Sequence, residues 1–200
     1  MRRKLGLVTL WLGLAALTLA GLGCQRDAFD WDQPENLKVT EATERRDDGS
    51  VEMRFISLVN APAEDLFDAL SDVEHHAEFI EGVTKSTLVS KDGPKKIVEI
   101  QNNVLGRPNR AKIEWTFDRD DLTASFRTLE AAMTDNSAEY QVTPSPDGKR
   151  ARVTTVYLLR DKGGHPFPLH SLQTAIEESY EAALRGVKRR ALGPSKVVEH

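Results

Sequence analysis

Cysteine is almost absent from this chain of 200 residues: Cys24 is the only one, so neither a disulfide framework nor a thiolate metal cluster can be built from it. Aromatic residues are scarce at 6%, and beyond the first 25 positions no uncharged run is long enough to span a bilayer, which excludes a polytopic membrane protein. A basic excess is missing too. The formal net charge is −4; three of the 27 Lys and Arg residues stand at positions 2–4 and no acid precedes Asp27, so beyond residue 23 there are 24 basic against 31 acidic residues, or −7. An acidic body of this kind argues against nucleic acid as a partner. The sequence also lacks a nucleophile elbow, a phosphate loop, zinc-ligand spacing and a paired-carboxylate motif, so no cofactor or metal is expected. What is present, 40% hydrophobic and 29% charged residues, suits one compact domain.

Arg2-Arg3-Lys4 followed by the uncharged run Leu5–Gln25, rich in Leu, Ala, Gly and Val, reads as the basic and apolar regions of a secretory signal over residues 1–23. The run closes on Ala20-Gly21-Leu22-Gly23-Cys24, and small residues directly ahead of the cysteine resemble a bacterial lipobox. That resemblance implies cleavage before Cys24, its acylation by palmitate-type chains, and a lipoprotein of the bacterial cell envelope. With Gln25 following the cysteine, it implies the outer membrane, facing the periplasm. Acyl chains contribute about 0.8 kcal/mol per buried CH₂, so several together hold a soluble domain at a bilayer surface. An uncleaved spanning anchor, or an incidental cysteine in a plain signal, are the alternatives. The polar, acidic stretch Gln25–Asn36 reads as a tether. The division is then 1–23 signal, 24–36 lipidated cysteine and tether, 37–192 folded domain, and 193–200 a frayed tail.

Within the domain, Leu37–Arg45 and Val51–Val59 flank Asp47-Asp48-Gly49-Ser50, a hairpin signal. Ala61-Pro62 starts a short amphipathic helix carrying Leu66, Phe67 and Leu70, with Asp65, Asp68 and Asp72 as its solvated face; a second short helix runs from Val73 to Ile80. Strands follow at Thr84–Ser90, Lys95–Asn102, Arg110–Asp118, Leu122–Leu129, Asn136–Thr143 and Arg150–Arg160. In Arg110–Asp118 the residues Ala111, Ile113, Trp115 and Phe117 share one face, and Lys112, Glu114, Thr116 and Asp118 the other, so one face of the sheet is wet. After Pro166-Phe167-Pro168 a 3.6-residue period sets Leu172, Ile176, Tyr180, Ala183, Leu184 and Val187 in one stripe, which must lie on the sheet.

Ile56–Asp72, with its Ala61-Pro62-Ala63-Glu64 turn, together with Phe79-Ile80-Glu81-Gly82-Val83, Tyr140–Pro144 and Pro166-Phe167-Pro168, resembles the START-like, or SRPBCC, superfamily. The similarity spans residues 37–189. It implies an α+β helix-grip fold: a curved antiparallel sheet, two short helices, and a long C-terminal helix packed across it. The superfamily includes lipid carriers, polyketide cyclases and aromatases, coenzyme Q-binding proteins and hormone receptors, so the fold alone does not fix the activity.

A grip fold implies a cavity between helix and sheet, and the expected inward set is Ile113, Trp115, Phe117, Phe126, Tyr140, Val142, Val153, Tyr157, Leu172, Ile176 and Tyr180. Such a wall suits a sterol, fatty acid, quinone or aromatic metabolite; each residue can equally be core. Arg107, Asn109 and Arg110, beside Pro108, are read as a loop able to meet a ligand carboxylate or phosphate. His75 and His76 are adjacent on a helix and diverge by about 100°, which argues against a metal site. His165 and His170 bracket the loop before the last helix, where acid–base groups would serve. Three readings stay open. The first is a non-catalytic, lipid-anchored carrier or sensor that binds a hydrophobic small molecule or lipid. The second is an interaction module with a filled cavity. The third is a cyclase- or hydratase-type enzyme using Tyr140, Tyr157 or His170, favoured by two or more convergent, desolvated polar groups in the cavity.

Overall fold

The computed structural model describes residues 29–163 and 167–193. The signal, Cys24, His165 and nearly all of the tail lie outside the described residues. The chain divides into two units, Met1–Asp30 and Trp31–His200, and every strand and helix named below belongs to the second. None of the described helices is long and apolar enough to cross a membrane.

Eight strands run β1 (Thr40–Arg45), β2 (Val51–Val59), β3 (Val83–Asp92), β4 (Lys95–Val104), β5 (Arg107–Asp118), β6 (Thr123–Ala131), β7 (Thr134–Pro144) and β8 (Ala151–Asp161). They form one antiparallel sheet in the order β1-β2-β8-β7-β6-β5-β4-β3. The helices are α1 (Ala63–Ser71), α2 (His76–Phe79) and α3 (Leu169–Leu192). This is the expected helix-grip architecture.

Alternation decides which side of the sheet is buried. One inward row crosses six strands by direct pairing: Met53, Tyr157, Ala138, Phe126, Trp115 and Lys96. The small Ala138 in this row leaves room for the rings of Phe126 and Tyr157 to meet edge to face, 5.8 Å apart. The first hairpin turns where Asp-Gly stands, with Gly49 at φ 80°, a left-handed conformation that glycine adopts without a steric cost.

Two expectations differ from what is seen. The second short helix is split: Val73–His75 forms a 3-10 turn and α2 is a single turn. Val73 and His76 are three residues apart and both buried, and a tighter turn sets residues three apart on one face. Arg107, Asn109 and Arg110 are not in a loop. They open β5 and pair with Val104, Asn102 and Gln101 across a turn at Leu105-Gly106. Pro108 is tolerated because pairing with β6 begins only at Ala111, so that end of β5 has a neighbour on one side alone.

The segment before β1 contributes to the domain as well. Asn36 bridges to Leu58, and the Glu35 carboxylate accepts from the Asn60 backbone N–H at 2.6 Å and from the Lys188 ammonium at 2.6 Å. The acidic face of α1 is less free than a solvated face would be. Asp68 is paired with Arg119, and Asp72 with Arg190 at 2.8 Å.

Helix α3 lies across the concave face and is seated by its C-terminal half, where Leu184 and Val187 are buried in the core. At Gly186 the helix comes so close to the exit of α2 that a Cβ would stand 2.2 Å from the Phe79 carbonyl oxygen. The Arg189 guanidinium donates to the same oxygen at 2.8 Å. Gly186→Ala therefore forces the helix off its seat. A loss of about 1–3 kcal/mol of unfolding free energy in urea titration is expected, the usual range for overpacking a tight contact, despite the helix propensity gained. An unchanged or raised stability would mean that the approach is looser than described.

Candidate functional site

Helix α3 also covers an opening on the inner face of the sheet. Between Leu172–Val187 of α3 and the inward faces of β4 to β8 lies a cavity of about 400 Å³. Leu70, His76 and Ile80–Val83 close one side, and Val104, Leu105 and Met133, at the β4–β5 and β6–β7 turns, stand at its edge. Leu105 is a non-glycine residue held at φ 50° and is 40% exposed.

Of the residues expected in the wall, Ile113, Trp115, Phe126, Tyr140, Tyr157, Leu172, Ile176 and Tyr180 line this space. Phe117, Val142 and Val153 do not. Val142 and Val153 are fully buried in the closed core, and Phe117 lies parallel to Trp115 with centroids 5.6 Å apart, packed on the core behind it. Trp115 is the hub of the wall. It also meets Phe126 at 5.0 Å, Tyr140 at 5.9 Å and the edge of His76 at 6.2 Å.

The three tyrosines divide by their hydroxyls. Tyr180 stacks on Phe55 at 4.4 Å, and its hydroxyl shares hydrogen bonds with Ser57 Oγ and Thr155 Oγ1, each at 3.2 Å. It is a satisfied core residue with one side on the cavity. Tyr140 and Tyr157 have no hydrogen bond from their hydroxyls among the described residues, and burial raises both above the usual phenol pKa. The Trp115 indole N–H and the Asn136 side-chain oxygen, in the same wall, are buried without a partner among the described residues. Nearer the mouth, Asn109 Nδ2 donates to Asn102 Oδ1 across β4 and β5 at 2.9 Å. Asn102, Asn109 and Asn136 were not among the expected wall residues, yet each has inward parity: Asn109 with Ile113, and Asn136 with Ala138 and Tyr140.

The candidate anion site is not formed. Arg110 pairs with Glu99, and the Arg107 guanidinium lies over the Phe167 ring at 5.4 Å; neither lines the cavity. His170 is exposed on the first turn of α3, outside the lining, and His165 lies outside the described residues. His75 and His76 diverge as helical geometry requires. The first is exposed beside Asp72 and the second is buried, its Nε2–H donating to the Leu70 carbonyl at 3.1 Å. No cluster of three or more metal-ligating side chains occurs among the described residues.

The pattern of the family described as polyketide cyclase/dehydrase and lipid transport matches residues 48–192. The chain belongs to that family. This START-like domain shares its fold with solved structures at low identity. The Zhui aromatase/cyclase from Streptomyces sp. R1128 superposes with a TM-score of 0.64 at 19% identity, covering 74% of this chain and 99% of that one. TTHA0849 from Thermus thermophilus gives 0.62 at 23%, covering 72% and 99%. A START superfamily protein from Mycobacterium smegmatis gives 0.59 at 13%, covering 68% and 94%. At these identities the likeness establishes the fold of the START-like domain and nothing finer. No curated protein matches it.

His76 sets an acid limit on the domain. Burial pushes its pKa down from 6.5 to about 4, because the ring sits among Phe79, Trp115 and Leu70 where a cation loses its water. The unfolded chain binds this proton near pH 6.5 and the folded one only near pH 4. The neutral ring's contribution is therefore complete above about pH 6.5 and is lost as pH falls through about 4. Its size is on the order of 3 kcal/mol. His75 works in the opposite direction, since Asp72 raises its pKa and that contribution is lost as pH rises above 6.5. Unfolding free energy measured between pH 4 and 6.5 is expected to rise with pH, and His76→Leu is expected to flatten the rise. A slope equal in both proteins would show that carboxylates alone carry it.

Proposed function

We propose that the protein is a non-catalytic carrier or sensor that binds one hydrophobic small molecule or lipid in the cavity beneath α3. We propose that it is held by an acylated Cys24 at the outer membrane, facing the periplasm. The observation that supports binding is the cavity itself: about 400 Å³, walled by Ile113, Phe126, Leu172 and Ile176, within the range of about 300–1,000 Å³ typical of small-molecule sites. Burying apolar ligand surface there gains about 25 cal/mol per Å² before the losses of association. The family's description and the hydrophobic wall point the same way. A closed core would favour the interaction-module reading, and the open cavity supports ligand binding over it.

The enzymatic reading has one observation in its favour, the two unpaired hydroxyls of Tyr140 and Tyr157. A structural neighbour named as an aromatase/cyclase keeps it in view. Proton transfer near neutral pH is best served by a group titrating near it. The tyrosines are shifted upward and away, His76 is held neutral down to about pH 4, and His170 is outside the lining. These groups suit hydrogen bonding to a ligand better than moving its protons.

Ile176→Asp places a carboxylate in the wall. It is expected to abolish the thermal shift that a lipid and quinone panel produces in the full chain, with the unliganded protein still folded by circular dichroism. A panel that shifts neither protein would contradict binding. Separately, Cys24→Ser is expected to move the protein from the membrane pellet to the soluble periplasmic fraction, and a variant still in the pellet without an acyl mass increment would contradict lipid anchoring.

A further inference from the structure

Apart from two exposed glutamates, Glu81 and Glu178, the polar groups of the cavity are uncharged, and several lack a protein partner among the described residues. Tyr140 and Tyr157 present hydroxyls with no protein partner among the described residues, while the hydroxyl of Tyr180, on the same inner face, is fully engaged by Ser57 and Thr155. Both residues are half-buried and line the cavity, so their hydroxyls face its interior and mark positions where a molecule in that space completes the bond. No Lys or Arg occurs among the described lining residues. The only ionised side chains there, Glu81 and Glu178, are exposed, and both are acidic. The two arginines nearest in sequence to the mouth are engaged elsewhere, Arg110 with Glu99 and Arg107 with Phe167. A carboxylate or phosphate brought inside would lose its water and find no counter-charge. A neutral oxygen would find two phenolic donors.

Resting on the ligand-binding reading above, we infer that the cavity selects an uncharged, ring-containing molecule bearing a hydroxyl or carbonyl oxygen, held by the Tyr140 and Tyr157 hydroxyls, and rejects fatty-acid carboxylates and phospholipid headgroups. Rings are favoured because the oxygen site is framed by aromatic faces, Trp115 and Phe126 among them, which pack flat ligands by stacking and edge contacts. A single oxygen can accept from one phenol while its own hydroxyl hydrogen, when present, is given to the other.

The test uses three probes of one ring system: 2-naphthol, 2-methylnaphthalene and 2-naphthoate. Each is titrated by calorimetry at pH 7 into the full chain and into the double variant Tyr140→Phe, Tyr157→Phe, which removes two hydroxyls and no ring. In the native protein 2-naphthol is expected to bind about tenfold tighter than 2-methylnaphthalene, the worth of a hydrogen bond made in place of an unpaired group, with 2-naphthoate weakest. In the double variant the naphthol-to-methylnaphthalene ratio is expected to fall below about threefold. Equal binding of those two probes by the native protein, tightest binding of 2-naphthoate, or a tenfold ratio that survives in the double variant would each overturn the inference while leaving an apolar binding cavity standing. Failure of all three probes to bind would instead remove the ligand-binding reading itself.

Discussion

The contact on which the rest depends is the close approach of α3 to the exit of α2 at Gly186. With no Cβ at that position the helix backbone reaches the Phe79 carbonyl, and Arg189 fastens the two from the side. Leu184 and Val187 then fill the core over α1 and the sheet, and the C-terminal half of the helix is committed. Leu172 and Ile176, and on the far side Leu184 and Val187, each pack on the core with one side and face the cavity with another. The cavity lies between this seated helix and the inner face of the sheet.

What the cavity can do follows from how its polar groups are engaged. The same residue type has two fates on one inner face. Tyr180 is tied into Ser57 and Thr155, where it joins α3 to β2 and β8. Tyr140 and Tyr157 lack such partners among the described residues and stay neutral because burial disfavours the phenolate. His76 is kept neutral by the same desolvation and gives its N–H to a backbone carbonyl. The result is a low-dielectric chamber with hydrogen-bonding capacity and little capacity for moving protons, which fits recognition better than catalysis.

Much of the fold was legible in residues. Gly49 and Gly93 follow aspartates between alternating runs, and the turns fall beside both. The stripe from Leu172 to Val187 gave α3 its length and buried side. The β4–β5 turn was obscured because Leu105 takes a left-handed conformation that few turns ask of leucine, and because Pro108, in the stretch read as a loop, sits where the strand has one free side. At the site, parity identified the inward rows but not where the rows leave the cavity for the core. Phe117 and Val142 share faces with Trp115 and Tyr140 yet lie where the sheet is already covered. Asn102, Asn109 and Asn136 stood at inward parity and could have been found by extending the alternation through them. Which tyrosine hydroxyls are engaged depends on contacts between residues more than a hundred positions apart, such as Ser57 with Tyr180, and no local pattern carries that.

The central claim is that the space beneath α3 holds a molecule. Native mass spectrometry of the full chain purified from its native source, with parallel extraction of the bound fraction, addresses it most directly. A single apolar species at one per chain, absent when Ile176→Asp is prepared identically, is the expected result. A chain that carries no non-covalently bound molecule, under conditions that keep the fold intact, would contradict the account.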